Sequence, residues 1–332
     1  MIRLIAETAW HHQGDFEFMK NLVSKIVTDT KVDIIKMHIT LDFDEYMDPS
    51  HDSYTLLKPW LFSKDQWSEL INIVQGSGKE IMLLLNDVEA IKFGLSFSPR
   101  YVEIHSICLN VPRLQNAVMD YIDDKSIIMI GVGGSTIEEV DQAVNFFSER
   151  PTILMFGFQN YPTKYKNINL AKIRKIQSLY PNLEYGYADH TAWNEEDNEL
   201  ITLLGAANNM SYIEKHVTTE YGIDRCDYSA AVSIEMFNSI ANKVNILNQI
   251  SGDGDLSLND GELQYSQLGP MKMAPYSIKD IGKGSIMKES DFDFIRTSQI
   301  GDVTQVNSKI FLGKTLNRDI KKGQVLLMSD FL

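Results

Sequence analysis

Two histidines close two consecutive strand-like stretches in the second half of the chain, and each has a carboxylate nearby. His190 directly follows Asp189, and His216 stands two residues after Glu214. If both stretches are parallel strands of one sheet, their carboxyl ends meet at one edge, where β/α enzymes place their chemistry. Neutral imidazoles beside carboxylates are common ligands of divalent metals. The pattern predicts a metal site with His190 and His216 as ligands, although either histidine by itself could be a hydrogen-bonded packing residue.

Polar side chains also stand at the ends of the other strand-like stretches. They are Glu7, His11 and His12 after the first, Lys36 and His38 in the second, Asn86 and Asp87 after the third, Glu103, His105 and Ser106 in the fourth, and Asp189, Glu214 and Lys215 in the last two. Six of the seven histidines belong to this set or follow it directly, and His51 lies in a loop. Exposure to water explains polar residues at a barrel mouth but explains six histidines poorly. We therefore expect one catalytic centre that includes Asp189 and Glu214.

Short apolar stretches alternate with amphipathic ones from residue 1 to about residue 250. Strands are predicted near residues 2–7, 33–38, 80–85, 101–106, 127–132, 152–158, 183–189 and 211–216, and the stretches between them have apolar residues at helical spacing. Eight strands that alternate with helices are typical of a TIM barrel. After the fifth strand, Ser135 and Glu138 have the spacing of a capping box. Residues 1–250 are therefore predicted to form a TIM-barrel catalytic domain of the α/β class.

The pattern changes after residue 250. Residues 251–268 begin with a stretch rich in Gly, Asp and Ser, which predicts a linker. Beyond it, residues 277–292 return as residues 316–331, with D-I-x-K-G, an apolar pair and S-D-F in common. Two copies are too few for a solenoid, so residues 269–332 are predicted to form one small, mostly β domain with internal pseudo-symmetry.

Composition limits the classes of function. The formal net charge of −14 argues against nucleic-acid binding, which depends on clustered Lys and Arg. The 332 residues contain no apolar run long enough for a membrane helix, and the first residues are interpreted as a strand rather than a signal peptide. Cys108 and Cys226 are the two cysteines and stand in unrelated contexts, so no disulfide framework is predicted and a cytoplasmic location is expected.

These residues together resemble the sialic acid synthase family over nearly the whole chain. Residues 6–15, A-E-T-A-W-H-H-Q-G-D, are similar to the family's A-E-I-G-x-N-H-N-G-D, and residues 187–191, Y-A-D-H-T, to Y-S-D-H-T. Residues 213–218, I-E-K-H-V-T, are similar to I-E-K-H-F-T, and residues 161–163, Y-P-T, stand at the family's Y-P-T/A position. The D-I-x-K-G repeat with F-I-R-T at 294–297 resembles the antifreeze-protein-like (SAF) domain that these enzymes carry.

The resemblance implies a specific reaction. Members of the family condense phosphoenolpyruvate with an N-acylated amino-sugar aldehyde, release phosphate and form a sialic-type (nonulosonic) acid. His190 and His216 match the family's ligands of a divalent metal, Mn²⁺ or Mg²⁺, which would polarise the sugar aldehyde. Glu7 matches a carboxylate that handles protons, and Lys36 matches a lysine that contacts substrate.

The resemblance also implies residues that bind substrate and a quaternary structure. Tyr161 matches a residue on the sugar side of the site. Arg296 matches an arginine with which the small domain reaches the barrel of a partner subunit, which implies a homodimer. An ordinary surface charge is the alternative interpretation of Arg296.

The sequence departs from the family where the phosphate should bind. The S-T-P-F position reads L-L-N-D at residues 84–87, the lysine of K-I-x-S is Glu103, and the S-T-G-M turn reads G-V-G-G at residues 131–134. Ala188 replaces the serine of S-D-H-T. His38 and His11 also replace a family glutamine and asparagine.

An ionised Glu103 would repel a phosphate, which leaves two possibilities. The anion could be held by the backbone amides of Gly133 and Gly134 together with Lys36 and Lys215. Alternatively, the donor is not phosphoenolpyruvate. The predicted substrate-binding set is His12, His38, Asn86, Ser106, Gly133, Gly134, Tyr161, Lys215 and Arg296.

Two other functions stay open at this stage. One is a metal-dependent aldolase, lyase or isomerase that uses an unphosphorylated sugar or keto acid on the same barrel. The other is a carbohydrate-binding or scaffold protein without catalysis. The presence of Glu7, His190 and His216 argues against the second, because a protein without chemistry has no need of metal-type ligands.

Overall fold

The computed structural model describes residues 1–157 and 160–332, which divide into two compact units, Met1–Gly252 and Asp253–Leu332. The predicted sixth strand, 152–158, ends at a residue outside the described ranges. Of the predicted linker, residues 251–268, the part from residue 253 onward contains a short helix and groups with the second unit. Among the described residues, no helix is long and apolar enough to cross a membrane.

Eight parallel strands form a closed barrel in the first unit, which confirms the predicted α/β barrel. They are β1 (Arg3–Glu7), β2 (Ile34–Ile39), β3 (Glu80–Leu85), β4 (Tyr101–Ile104), β5 (Ile127–Gly131), β6 (Thr152–Phe156), β7 (Glu184–Asp189) and β8 (Tyr212–Thr218). Each strand pairs with the next, and β8 pairs with β1 to close the sheet. A short strand, β9 (Val232–Ser233), extends from β8.

Helices follow the strands around the barrel. They are α1 (Phe16–Asp29), α2 (Phe43–Tyr46), α3 (Tyr54–Leu57), α4 (Lys64–Gly76), α5 (Val88–Leu95), α6 (Pro112–Tyr121), α7 (Ile137–Phe146), α8 (Tyr165–Ile168), α9 (Leu170–Leu179), α10 (Asn198–Ala206) and α11 (Ile234–Ser251). Asp15 caps α1 by accepting a hydrogen bond from the amide of Phe18. At α7 the capping box is formed by Thr136 and Glu139, so the prediction of Ser135 and Glu138 was wrong by one residue.

The two faces of each strand have different environments. In β2, Ile35, Met37 and Ile39 pack outward against the helices, in the main hydrophobic core. Lys36 and His38 alternate with them and therefore point into the barrel. Below these polar residues the interior is filled by a second apolar cluster of nine buried side chains from all eight barrel strands. They are Ile5, Ile34, Met82, Tyr101, Met129, Ile153, Met155, Ala188 and Tyr212.

The second unit contains α12 (Asp260–Tyr265) and an antiparallel pair of strands, β10 (Ala274–Ser277) and β11 (Phe292–Ile295). The two copies of its sequence repeat form backbone hydrogen bonds with each other through equivalent residues. The amide of Ile281 donates to the carbonyl of Ile320 at 2.8 Å, and the amide of Ile320 donates back at 2.9 Å. The two repeats therefore pair with each other, and Ile281 and Ile320 share one apolar cluster. The small, mostly β domain of the antifreeze-like class stays a prediction.

Candidate active site

A cavity of about 310 Å³ opens at the carboxyl ends of the barrel strands and gathers most of the predicted site. Its lining includes nine of the residues predicted to bind metal or substrate or to act in catalysis: Glu7, Lys36, His38, Ser106, Gly133, Tyr161, His190, Glu214 and His216. These residues come from seven different strands or the loops that follow them. The closure of β8 on β1 brings the first and last of them together. Glu7 is the direct ladder partner of both Lys36 and His216.

At the bottom of this cavity, the ammonium of Lys36 contacts three carboxylates. Its Nζ lies 2.7 Å from Glu7 Oε2, 2.5 Å from Glu103 Oε2 and 3.0 Å from Glu214 Oε1. All four side chains are buried, with exposed fractions of 5% or less. We call Lys36, Glu7, Glu103 and Glu214 the lysine–glutamate cluster.

One ammonium cannot neutralise three buried carboxylates, and the pKa values of the cluster reflect this. Burial raises the pKa of Glu7 to about 8, with repulsion from Glu214 and Glu103 adding to it against the attraction of Lys36. Burial likewise raises the pKa of Glu103 to about 7. Burial by itself would lower the pKa of Lys36, but the three carboxylates raise it well above its usual value. The cluster therefore holds an exchangeable proton near neutral pH, the property required of a general acid or base.

His190 and His216 stand side by side at the cavity wall. Their ring centroids are 4.8 Å apart, with the ring planes at 72°. The Nδ1 of His190 lies 3.0 Å from the carbonyl of Ala188, so it donates to that oxygen and leaves Nε2 unprotonated in the neutral ring. Nδ1 of His216 is buried and has no hydrogen-bond partner among the described residues. Burial lowers the pKa of both imidazoles and keeps them in the neutral form that binds metals.

The 4.8 Å separation of the two rings is compatible with one shared divalent ion, which stays a prediction. A hydrogen bond from the other ring nitrogen to a backbone carbonyl, as in His190, is the usual support of a metal-binding histidine. Within residues 1–157 and 160–332, no group of three or more His, Cys, Asp or Glu side chains is arranged to hold a metal. The protein would therefore supply two ligands, and water or substrate would complete the shell.

Aromatic rings form another wall of the cavity. Trp10 packs against His38 at 5.6 Å between ring centroids, and His38 stacks on His105 at 5.9 Å. Tyr161 lies 5.7 Å from His190 and 5.8 Å from His216. Its hydroxyl donates to the carbonyl of Asp227 and accepts from the amide of Ala230 at 3.2 Å.

Trp10, His105 and Asp227 line the cavity but were given no role from the sequence. His105 stood among the polar residues of the fourth predicted strand, and Trp10 lies in the first family-like motif, so both could have been selected. Asp227 could not, because it enters the site from the loop after β8, where its backbone is left-handed (φ 62°). Its carboxylate accepts a hydrogen bond from the amide of Trp10 at 3.1 Å, which joins the loops after β1 and β8.

Asp189 and Lys215 lie on the helix side of the barrel wall and are not among the described residues that line the cavity. Both are completely buried, and Lys215 Nζ lies 2.9 Å from Asp189 Oδ2 and 3.0 Å from Asn198 Oδ1 of α10. Asp189 also accepts hydrogen bonds from Thr191 and Thr202. The ion pair between Asp189 and Lys215, with the hydrogen bond to Asn198, links β7 and β8 to α10. This geometry indicates a structural role.

Four other predicted residues also stand outside the described lining of the main cavity. Asn86 donates to Thr40 Oγ1 at 2.8 Å, and His12 packs on Phe62 at 4.3 Å. Gly134 borders a neighbouring pocket of about 170 Å³ that Gly133 shares. Arg296 belongs to the second unit, where its guanidinium donates to the carbonyl of Pro270.

The fold is a (β/α)₈ barrel, and its polar cavity lies at the carboxyl ends of the strands, where enzymes of this fold have their active sites. Residues 25–256 match the NeuB family, so the chain belongs to that family, which confirms the resemblance inferred from the motifs. It is 23% identical over 346 residues to the N,N'-diacetyllegionaminic acid synthase of Legionella pneumophila, covering 98% of this chain and 93% of that one. It is 22% identical over 292 residues to human N-acetylneuraminate-9-phosphate synthase, covering 83% and 79% of the two chains.

Solved structures share the fold at low sequence identity. The spore coat polysaccharide biosynthesis protein E of Chromobacterium violaceum superposes with a TM-score of 0.85 at 17% identity, over all of both chains. The N-acetylneuraminic acid synthetase of Leptospira borgpetersenii, solved with citrate, superposes with a TM-score of 0.71 at 23% identity, over 79% of this chain and 89% of that one. At these identities the likeness establishes the fold.

Proposed function

We propose that this protein is a sialic-type acid synthase, which joins phosphoenolpyruvate to the aldehyde of an open-chain N-acylated amino sugar and releases phosphate. The observation that carries the proposal is the convergence of Glu7, Lys36, Glu214, His190 and His216 on one cavity at the carboxyl rim. Membership of the NeuB family, with relatives named as legionaminic and neuraminic acid synthases, supports the same reaction.

His190 and His216 would hold the divalent metal, Mn²⁺ or Mg²⁺. When bound there, such an ion supplies Lewis-acid polarisation of the sugar aldehyde. The protein's own contribution is to keep both imidazoles neutral by burial and to fix the ring of His190 through its bond to Ala188. Tyr161, held by Asp227 and Ala230, forms the wall beside these rings and would contact the sugar.

The lysine–glutamate cluster handles the protons of the reaction. C3 of the donor forms a bond to the aldehyde carbon, and the aldehyde oxygen takes up a proton. Water adds at C2 and gives up a proton; the bond between C2 and the phosphate oxygen then breaks, so that phosphate leaves and C2 becomes a keto carbon as the added hydroxyl loses its proton. Glu7, with a pKa of about 8, can give and take a proton at neutral pH, and its Oε1 is fixed by the amide of Ala9 at 3.0 Å. Lys36 offers the only ammonium among the described residues that line the cavity and would contact the donor carboxylate.

The test is turnover with candidate sugars. Purified protein with Mn²⁺, phosphoenolpyruvate and N-acetylmannosamine or a related 2-acetamido sugar should release phosphate, and mass spectrometry should find a product enlarged by the three-carbon unit. His190→Ala with His216→Ala should abolish both signals. His51→Ala, which alters an exposed histidine, is the matched control and should keep them. Absence of phosphate release with every such sugar, while the metal still binds, would refute the proposal.

A second candidate is a metal-dependent aldolase or lyase that uses an unphosphorylated keto acid. The observation in its favour is that the ammonium of Lys36 is already in contact with three carboxylates. A donor that carries only one carboxylate would be repelled less than a phosphate ester. This candidate requires product formation from pyruvate and the sugar without phosphate release, or cleavage of a nonulosonic acid to pyruvate.

The predicted homodimer, in which Arg296 reaches the partner barrel, belongs to the same proposal. A dimeric mass by light scattering, together with a raised KM for the sugar in Arg296→Ala, would support it. A monomer with full activity would contradict it.

A further inference from the structure

Two departures from the family motifs meet at one point of the cavity. Glu103, on β4, stands where the family has a lysine, and Gly131, at the end of β5, stands where the family has a serine. A Cβ added to residue 131 would lie 3.3 Å from Glu103 Oε1 and 3.2 Å from the amide nitrogen of Ser106. Those distances are tighter than ordinary carbon contacts. A side chain at residue 131 would therefore overlap the space that the Glu103 carboxyl occupies. The glutamate at residue 103 and the glycine at residue 131 are thus structurally coupled.

The groups that face Glu103 leave it short of positive charge. Lys36 from β2 is the cation, and Glu7 from β1 and Glu214 from β8 compete for it. His38 on β2 and His105 just after β4 are buried, which lowers the pKa of both and makes them neutral. With all three carboxylates ionised, the lysine–glutamate cluster has two negative charges in excess. That excess disfavours an anionic donor at this point of the cavity.

We propose that Glu103, seated beside Gly131, determines donor specificity in this protein: it binds the anionic group of the donor as a neutral carboxylic acid, so that donor binding takes up one proton. The proposal rests on the proposed function, since it assumes that an anionic three-carbon donor binds in this cavity. A neutral carboxyl can donate its O–H to an anionic oxygen, whereas a carboxylate can only accept. The same proton lowers the excess from two negative charges to one and releases Lys36 from one of its three carboxylates.

Buried carboxyls that repel one another take up protons readily, and the pKa of Glu103, raised by burial to about 7, supports this assignment. An anion bound beside Glu103 would raise that pKa further. The number of protons taken up on donor binding should therefore increase as the pH rises above 7, because Glu103 is then ionised in the free protein and protonated in the complex. The affinity for the donor should then fall about tenfold for each pH unit above 7, because each unit lowers the protonated fraction tenfold.

The experiment measures phosphoenolpyruvate binding without sugar, so that no turnover occurs. Isothermal titration calorimetry of the full-length protein at pH 8, in two buffers with different ionisation enthalpies, should give binding enthalpies that differ by the value for about one proton. A series from pH 7 to 9, in which the donor phosphate stays ionised, should show the tenfold loss of affinity per unit. Glu103→Gln, a permanently neutral hydrogen-bond donor, should bind about tenfold tighter than the parent at pH 8, with a flatter pH profile.

Two variants complete the design. Glu89→Gln changes an exposed carboxylate on α5 and should behave as the parent does. Gly131→Ala should weaken binding, because its methyl group contests the position of the Glu103 carboxyl. If Glu103→Gln does not fold, the two-buffer experiment on the parent still decides the matter.

Equal proton uptake and equal pH profiles in the parent and Glu103→Gln would overturn the proposal. So would a complete lack of phosphoenolpyruvate binding to the parent between pH 6 and 9. Binding with proton uptake but without phosphate release in the presence of sugars would leave this proposal standing and remove the proposed function. Turnover with phosphate release but without proton uptake on donor binding would support the proposed function and overturn the proposal for Glu103.

Discussion

Replacement of Lys36 by methionine should destabilise the barrel strongly, and only at neutral and alkaline pH. Methionine matches the length of the lysine stem and removes the ammonium that contacts Glu7, Glu103 and Glu214 at 2.5–3.0 Å. Three buried carboxylates would then have no counter-charge. A substitution that removes one partner of a buried ion pair typically costs roughly 3–5 kcal/mol, because the remaining charge is left unpaired.

The pH dependence follows from the direction of the pKa shifts. The pKa values of Glu7 and Glu103 are already raised from 4.5 to about 8 and about 7, and loss of Lys36 would raise them further. A carboxyl with a raised folded-state pKa makes its full contribution to stability below its unfolded value near 4.5 and loses that contribution as pH rises through the folded value. The deficit of Lys36→Met should therefore be small at pH 5 and reach its full size above pH 8.

Thermal unfolding followed by tryptophan fluorescence is the appropriate assay, because all four tryptophans lie within residues 1–252 and report on the barrel unit. For a unit of this size, 1 kcal/mol corresponds to roughly 2–4 °C in Tm, so we expect a loss of roughly 10 °C at pH 8. Lys20→Met, which breaks the exposed pair with Glu69, is the matched control and should unfold with the parent. A Tm within 2 °C of the parent at pH 8, or an equal deficit at pH 5, would refute the reasoning.

Three further outcomes are expected. His190→Ala and His216→Ala should each weaken Mn²⁺ binding by more than roughly tenfold in a chelator competition, and unchanged affinity in both would contradict the two-imidazole site. Lys215→Met should lower the stability of the barrel by roughly 3–5 kcal/mol, since it leaves Asp189 unpaired, yet leave KM for both substrates unchanged; a raised KM would return Lys215 to the substrate-binding set. Tyr161→Phe should raise KM for the sugar more than it lowers kcat, because Tyr161 orients a wall of the cavity, and a loss confined to kcat would argue for a chemical role.

The architecture could be predicted because the sequence contains both the two-residue period of strands and the 3.6-residue period of helices. Apolar residues at alternate positions of β2 identify the face that packs on the helices, and they place Lys36 and His38 on the other face. The same rule separates Asp189 and Lys215 from the site. His190 follows Asp189 by one residue and His216 follows Lys215 by one residue, so each neighbour points to the opposite side of the wall. The positions of Asp189 and Lys215 next to the two histidines suggested that they belong to the same site, but the alternation of side chains along a strand argues against this.

Other features could not be read from the sequence. Ser135 and Thr136 both precede a glutamate by three residues, and only the turn geometry after β5 selects Thr136 as the cap. The lysine–glutamate cluster requires the distances across a closed barrel, since its members come from β1, β2, β4 and β8. Each of the four was visible as a polar residue near a strand end. Their arrangement around a single ammonium was not.

The lysine–glutamate cluster bears on whether this barrel is catalytic at all. Buried ion pairs of this kind can often be replaced by apolar side chains without loss of stability, and an excess of buried carboxylates is less favourable still. Stability therefore gives no reason for three glutamates around Lys36 at the base of an open cavity. Strongly shifted pKa values at such a position are typical of a site that moves protons. A scaffold or carbohydrate-binding protein would have no use for such a cluster, and the fit of Glu103 beside Gly131 argues for a remodelled active site over a decayed one.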